Sequence, residues 1–409
     1  MHTLRLLGFL LLAGCLFTVQ AASPRADELI EKAEELSDDE FDAAASEFDD
    51  RPVEAISHPD WFKVSFLDLP EDLAEAQENG GKSLVVYFGQ KHCAYCKALM
   101  EVNFGLPDIV EYTRKHFDIV PVDIWGTRDL TDLEGYTLTE REFAVREGTN
   151  FTPSLIFYGP DGTQALRLRG YYPPYKFRAA LEYVADGHYR NERFRDYLAR
   201  AQPGDVFEEG GLNHNPAFMP GPMVLDRSKM AGERPLLVVF EQSDCHACDL
   251  MHTTLLSRPD LADRLKEFEV VQLGLWADTP VLTPGGERLT AREWAEHLGL
   301  FYAPTLMFFD EWGREIIRVD SVVKLYRLNG VFDYVLDEGY LHEPNYLRWR
   351  EKQRDEQRRV AMEQAEERAR RMRQEPPQPP TAPKAPTAPV RPQAPKPPTP
   401  PPLPTADGR

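Results

Sequence analysis

The chain has 409 residues, 42% of them apolar, enough for two to three globular cores at about 150 residues per domain. Its net charge of -20 argues against a nucleic-acid partner, because a phosphate-binding surface needs clustered Lys and Arg. Basic partners, or plain solubility, fit an acidic body better.

Residues 1–22 read as an export signal: Arg5 opens it, Leu6 to Val19 are almost wholly apolar, and the small residues Ala21 and Ala22 follow. The apolar run, about 14 residues, is short of the roughly 20 that a spanning helix needs. Two processing routes stay open. Cleavage after Ala21 releases a soluble protein, whereas Leu12-Ala13-Gly14-Cys15 resembles a lipobox and makes Cys15 a lipidation site that anchors the protein to a membrane. Both place the folded part outside the cytoplasm, periplasmic or exported. Residues 23–55 form an acidic segment, with twelve acidic residues against one Lys between Asp27 and Asp50, which reads as a solvated helix or arm.

The next 290 residues or so contain one pattern twice, at a spacing of 151 to 152 positions, the size of a domain rather than of a solenoid unit. In the first copy, residues 56–190, an opening helix over Leu69 to Gln77 precedes the apolar strand Leu84-Val85-Val86-Tyr87-Phe88 and the pair Cys93/Cys96. After a linker at 191–225, the second copy, residues 226–342, brings Leu236-Leu237-Val238-Val239-Phe240 and the pair Cys245/Cys248. Trp125 is matched by Trp276, Leu138 to Ala144 by Leu289 to Ala295, and Thr152-Pro153-Ser154-Leu155 by Ala303-Pro304-Thr305-Leu306. Each copy reads as strand, Cys-x-x-Cys at a helix start, helix, strand, helix, Pro-led strand, turn, strand and helix, hence an α/β fold. Residues 343–375 alternate Arg, Glu and Gln and suit an exposed charged helix with i,i+4 pairs. Residues 376–409 carry fifteen prolines and read as an extended, disordered Pro-rich tail.

Apart from Cys15, every cysteine lies in one of the two Cys-x-x-Cys pairs. A disulfide closing so short a loop restrains the unfolded chain by about 2 kcal/mol, against about 4.7 for a hundred-residue loop, so these pairs are poor staples and convenient redox switches. At a helix start, free backbone N–H groups and the helix dipole favour a thiolate. Cys93 and Cys245 are therefore the expected nucleophiles, and Cys96 and Cys248 the sulfurs that resolve the mixed disulfide. Lys91, His92 and Lys97 around the first pair favour its thiolate; Asp244 and Asp249 around the second oppose it, with His246 partly compensating. Thr152 and Ala303, each before a proline, are expected to line a groove for an extended substrate, with Pro153 and Pro304 bending the chain. A shared zinc site fits poorly, since each pair belongs to its own copy, and the haem motif is excluded by Lys97 and Asp249 after the second cysteines. No metal site is expected among the histidines, including His58, His116 and His297.

The strand, Cys-x-x-Cys and Pro-led strand of both copies resemble the thioredoxin fold. Pro59-Asp60-Trp61-Phe62-Lys63, Ser65-Phe66-Leu67-Asp68-Leu69 and Phe88-Gly89-Gln90 are similar to exported thioredoxins of the SoxW type and, more loosely, to the C-terminal thioredoxin domain of DsbD. The resemblance implies two tandem thioredoxin-fold domains, each a central mixed sheet flanked by helices, and cis bonds at Pro153 and Pro304. It also implies electron exchange with protein thiols and disulfides, and a membrane electron donor of the DsbD/CcdA type. No cofactor beyond the redox-active disulfides Cys93–Cys96 and Cys245–Cys248 is implied. Two departures matter. Neither pair is Cys-Gly-Pro-Cys, and the buried Asp that the family carries six residues before the first cysteine is replaced by Tyr87 and Val239. A reductase or isomerase of protein disulfides is the leading expectation, from Cys93-Ala94-Tyr95-Cys96 and from Thr152 before Pro153. A protein disulfide oxidase and a non-catalytic adaptor are the alternatives.

Overall fold

The computed structural model describes residues 55–201, 211–321 and 325–374. The expected export signal with Cys15, most of the acidic segment, and the Pro-rich tail lie outside the described residues. In the first copy α1 (Leu69–Glu78) precedes β1 (Ser83–Gly89), α2 (Ala94–Glu101), α3 (Pro107–His116) and β2 (Phe117–Asp123). A hairpin of β3 (Asp129–Thr131) and β4 (Thr137–Thr139) leads into α4 (Glu140–Arg146), then β5 (Ser154–Tyr158), β6 (Gln164–Arg169), α5 (Pro174–Ala185) and α6 (Phe194–Ala201). The second copy adds β7 (Met223–Val224) and then β8 (Leu236–Glu241), α7 (His246–Leu250) and a π-helical turn over Met251–Leu256. It continues with α8 (Pro259–Leu265), β9 (Glu269–Gly274), β10 (Pro280–Leu282), β11 (Arg288–Thr290), α9 (Ala291–His297), β12 (Thr305–Phe309), β13 (Glu315–Val319), α10 (Leu325–Leu336), α11 (Gly339–His342) and α12 (Tyr346–Gln374).

Both copies build the same four-stranded sheet, in the order β2-β1-β5-β6 and β9-β8-β12-β13. The first two strands are parallel and the rest antiparallel, with an irregularity of register at the same place, Phe157/Tyr158 and Phe308/Phe309. The central strands are buried along their whole length, which is why they read as unbroken apolar runs rather than alternating ones. On β1, Val85 and Tyr87 face α2, α3 and α5, while Leu84, Val86 and Phe88 face α1 and α4. A reciprocal capping box starts α4 (Thr139 and Glu142) and again α9 (Thr290 and Glu293), each satisfying two otherwise orphan helix N–H groups.

The two copies meet through equivalent residues. Arg169 and Asp320 occupy the same position in the repeat and pair at 3.6 Å. Their successors Gly170 and Ser321 also meet: a Cβ on Gly170, whose φ is +93°, would fall on the Ser321 hydroxyl, so only glycine fits there. Such self-contacts are the mark of an approximate twofold relation between the copies.

Two stretches differ from the sequence reading. Within the expected linker, Phe194, Tyr197 and Leu198 of α6 enter the core of the first copy; an eight-residue helix is too short for its period to stand out. The linker's end also packs, with Asn213 bonded to Asp249 and Met219 to Val270 of the second copy. The charged helix is not exposed throughout: in its first turn Tyr346 and Trp349 join the core of the second copy and Leu347 that of the first. From Arg354 onward the described helix forms a separate unit, exposed and laced by pairs such as Arg359 with Glu356 and Glu363. Among the described residues no helix is long and apolar enough to cross a membrane.

Candidate active site

Each cysteine pair stands where a central strand runs into a helix. Both pairs are disulfides. Cys93 is the N-cap of α2, and its Sγ accepts the Cys96 N–H at 3.1 Å; Cys245 caps α7 and accepts the Cys248 N–H at the same distance. This bond stabilises negative charge on the N-terminal sulfur once the disulfide opens. In each pair the first cysteine is the more accessible, 6% exposed at Cys93 and 8% at Cys245 against none at Cys96 and Cys248.

The proline segments close on the sulfurs. Thr152–Pro153 and Ala303–Pro304 are cis peptides; Thr152 O lies 3.6 Å from Cys93 Sγ, and Ala303 O lies 3.8 Å from Cys245 Sγ. The structure thus brings Cys93, Cys96, Thr152 and Pro153 into one site, and Cys245, Cys248, Ala303 and Pro304 into another. Trp125 donates to the Gln90 side chain at 2.9 Å, and Gln90 donates to the Thr152 hydroxyl at 2.9 Å, which lies 3.3 Å from Cys93 Sγ. The second copy keeps the Trp276 to Gln242 bond, longer at 3.4 Å, but Ala303 supplies no hydroxyl to continue it. Lys97, expected to favour the first thiolate, pairs with Glu101 at 3.6 Å, and Asp249 accepts from Asn213 at 2.7 Å.

Sequence reasoning missed a polar pair in the second copy, between the end of β8 and the turn that follows α7. Glu241, the last residue of β8, has no solvent exposure; its Oε1 is 2.7 Å from His252 Nε2, and its Oε2 has no hydrogen-bond partner among the described residues. The first copy has Gly89 at that position, and a Cβ there would fall on the Tyr87 hydroxyl. One volume is therefore filled by a phenol from two residues earlier in one copy and by a carboxylate in the other, where Val239 leaves room. Burial pushes the Tyr87 hydroxyl far up, so that filling stays neutral. Aligned as Tyr87-Phe88-Gly89 over Val239-Phe240-Glu241, the repeat carries this exchange in its sequence.

Among the described residues no cluster of three or more His, Cys, Asp or Glu side chains is placed to hold a metal ion.

The family model for the thioredoxin-like domain matches twice, over residues 69–185 and 222–336. None of the curated proteins matches the chain. Among solved structures, a thioredoxin-fold protein from Helicobacter pylori is 24% identical, over 30% of this chain and 81% of that one, with a TM-score of 0.26. A thioredoxin from Thermus thermophilus is 28% identical over 29% and 83%, with a TM-score of 0.23. The oxidised C-terminal domain of Neisseria meningitidis DsbD is 18% identical over 28% and 92%, with a TM-score of 0.22. With the family model covering more than half of its length and a Cys-x-x-Cys disulfide in each matched segment, the chain belongs to the thioredoxin-like family and is a thiol:disulfide oxidoreductase.

Proposed function

We propose that both pairs are working redox centres of an exported protein, a reductase or isomerase of protein disulfides. The observation that carries this reading is the common geometry of the two sites: a sulfur at a helix start, holding an amide hydrogen bond, against the carbonyl before a cis proline. The thiolate of Cys93 or Cys245 attacks one sulfur of a substrate disulfide and expels the other as a thiolate, which takes up a proton. Cys96 or Cys248, deprotonated, then attacks the first cysteine's sulfur and expels the second substrate thiol. Two electrons pass to the substrate, and the protein is left as the disulfide found here. Thr152 and Ala303 offer backbone to an extended substrate strand alongside the sulfur.

A reduced donor must then restore the dithiols, and a membrane carrier of the DsbD/CcdA type is the proposed one. The leader and Cys15 support export, with lipid anchoring as its membrane-bound form. Insulin reduction is the test: Cys93→Ser with Cys245→Ser is expected to abolish turnover, and turnover that survives both refutes catalysis by these pairs. The potential of each site tests the direction, with values at or below about -180 mV expected and a value near about -120 mV marking an oxidase instead.

A further inference from the structure

The aromatic residue that precedes each cis-proline dipeptide is built into the wrong copy. Phe151, of the first copy, belongs to the core cluster of the second, and Tyr302, of the second, belongs to that of the first; they are 3% and 4% exposed. What holds them is also exchanged. Lys176 of α5 and Arg327 of α10 occupy the same place in the repeat. Lys176 Nζ lies 4.6 Å from the centre of the Tyr302 ring, and the Arg327 guanidinium 5.0 Å from that of Phe151. Each copy thus places a cation over the aromatic that leads into the other copy's sulfur-contacting residue, Ala303 or Thr152.

The exchange is not quite even. Arg327 also lies 4.3 Å from the ring centre of Tyr95, inside the Cys93-x-x-Cys96 loop, and so touches both walls of the first groove. The position equivalent to Tyr95 is Ala247, so the second Cys-x-x-Cys loop offers Lys176 no ring, and its second ring contact is Tyr175 of its own helix, at 5.6 Å. Tyr346, at the start of α12, adds a ring 5.4 Å from Phe151, and its N–H bonds the side chain of Asn150.

We infer that Arg327 and Lys176 are positioning residues for the site of the opposite copy: Arg327 sets the Phe151–Pro153 wall against Cys93, and Lys176 sets the Tyr302–Pro304 wall against Cys245. A cation over a buried ring is worth more than one in water, because little solvent competes for the charge. The next residue's carbonyl lies against the sulfur, so freedom at the ring becomes freedom in the groove. Neither site is complete within its own copy. The inference rests on the two pairs being the redox centres.

The test reads each site alone in the full chain, the first in a Cys245→Ser/Cys248→Ser background and the second in a Cys93→Ser/Cys96→Ser background. With insulin as substrate and dithiothreitol as reductant, Arg327→Ala is expected to raise KM at the first site about tenfold and leave the second within about twofold. Lys176→Ala does the reverse, by about threefold, because its other ring contact, Tyr175, is on its own helix and not in the second groove. Arg327→Lys, which installs the cation the other copy uses, restores most of the loss. Amide hydrogen exchange supplies a readout that needs no turnover: Arg327→Ala speeds exchange in peptides covering 150–158 and not in those covering 301–309, and Lys176→Ala the opposite. Crossed effects carry the inference. Effects on the same copy, equal effects on both, faster turnover, or no change in exchange overturn it, whereas parent chains without insulin turnover refute the redox reading and leave exchange to decide the positioning.

Discussion

The two cysteine pairs share a fold, a helix cap and a cis proline, and their copies differ at the end of the central strand and beside the sulfurs. At the end of the central strand the first copy has a neutral phenol, Tyr87, over Gly89; the second has Glu241, held by His252. Beside the first pair, a hydroxyl chain runs from Trp125 through Gln90 and Thr152 to Cys93; beside the second it stops at Gln242. Duplication kept the parts that make a sulfur reactive and altered the parts that tune it.

The largest effects come from breaking the filling in the second copy. Glu241→Gly strips the half-buried His252 of its partner, and Val239→Tyr drives a ring into the volume that Glu241 holds; each is expected to cost about 1–3 kcal/mol. Joined with His252→Met, the equivalent of Met100, the two changes reproduce the first copy's arrangement. The triple variant is therefore expected to be more stable than Val239→Tyr alone, with a coupling of at least about 1 kcal/mol by urea denaturation. Additive losses would mean that the two fillings do not share one volume.

A smaller effect is expected beside the sulfurs. A hydroxyl within hydrogen-bond reach of a thiolate favours it by about 1 kcal/mol, so Thr152→Ala should slow iodoacetamide alkylation of Cys93 near pH 7 by about threefold to tenfold. Ala303→Thr should quicken Cys245. Lys91 and His92 against Asp244 push the same way, which predicts a lower apparent thiol pKa at Cys93. An equal or lower value at Cys245 would mean that the groups at the strand end outweigh those beside the sulfurs.

What was legible in the sequence is what local pattern encodes: the buried strands as apolar runs, the cysteines at helix starts, the Pro-led strands, and the duplication itself. The Glu241 site was legible only across the repeat, by comparing Tyr87 and Gly89 with Val239 and Glu241. The exchanged contacts were not. Lys176 and Arg327 look like ordinary helix surface because their partners lie 126 and 176 positions away, and no pattern within one helix announces a ring supplied by the other copy. Tyr346 and Trp349 were hidden for the opposite reason: one apolar turn is diluted by the charged helix that follows.

The mildest difference between the copies is one of charge at equivalent positions, Arg169 and Asp320, where they meet. Burial raises the Asp320 carboxyl above its ordinary range, against the opposing pull of Arg169 and Arg318. A carboxyl raised on folding binds its proton more tightly in the folded chain, so its contribution to stability is full below the unfolded value, about 3.9, and is lost as pH rises through the folded one. Asp320→Asn keeps the shape and removes the titration. The variant should match the parent near pH 4 and exceed it near pH 7 by on the order of 4 °C in Tm, what about 1 kcal/mol is worth in domains of this size. If Asn lowers the Tm near pH 7 instead, the pull of Arg169 outweighs the cost of burial, and the meeting of opposite charges is itself what holds the copies together.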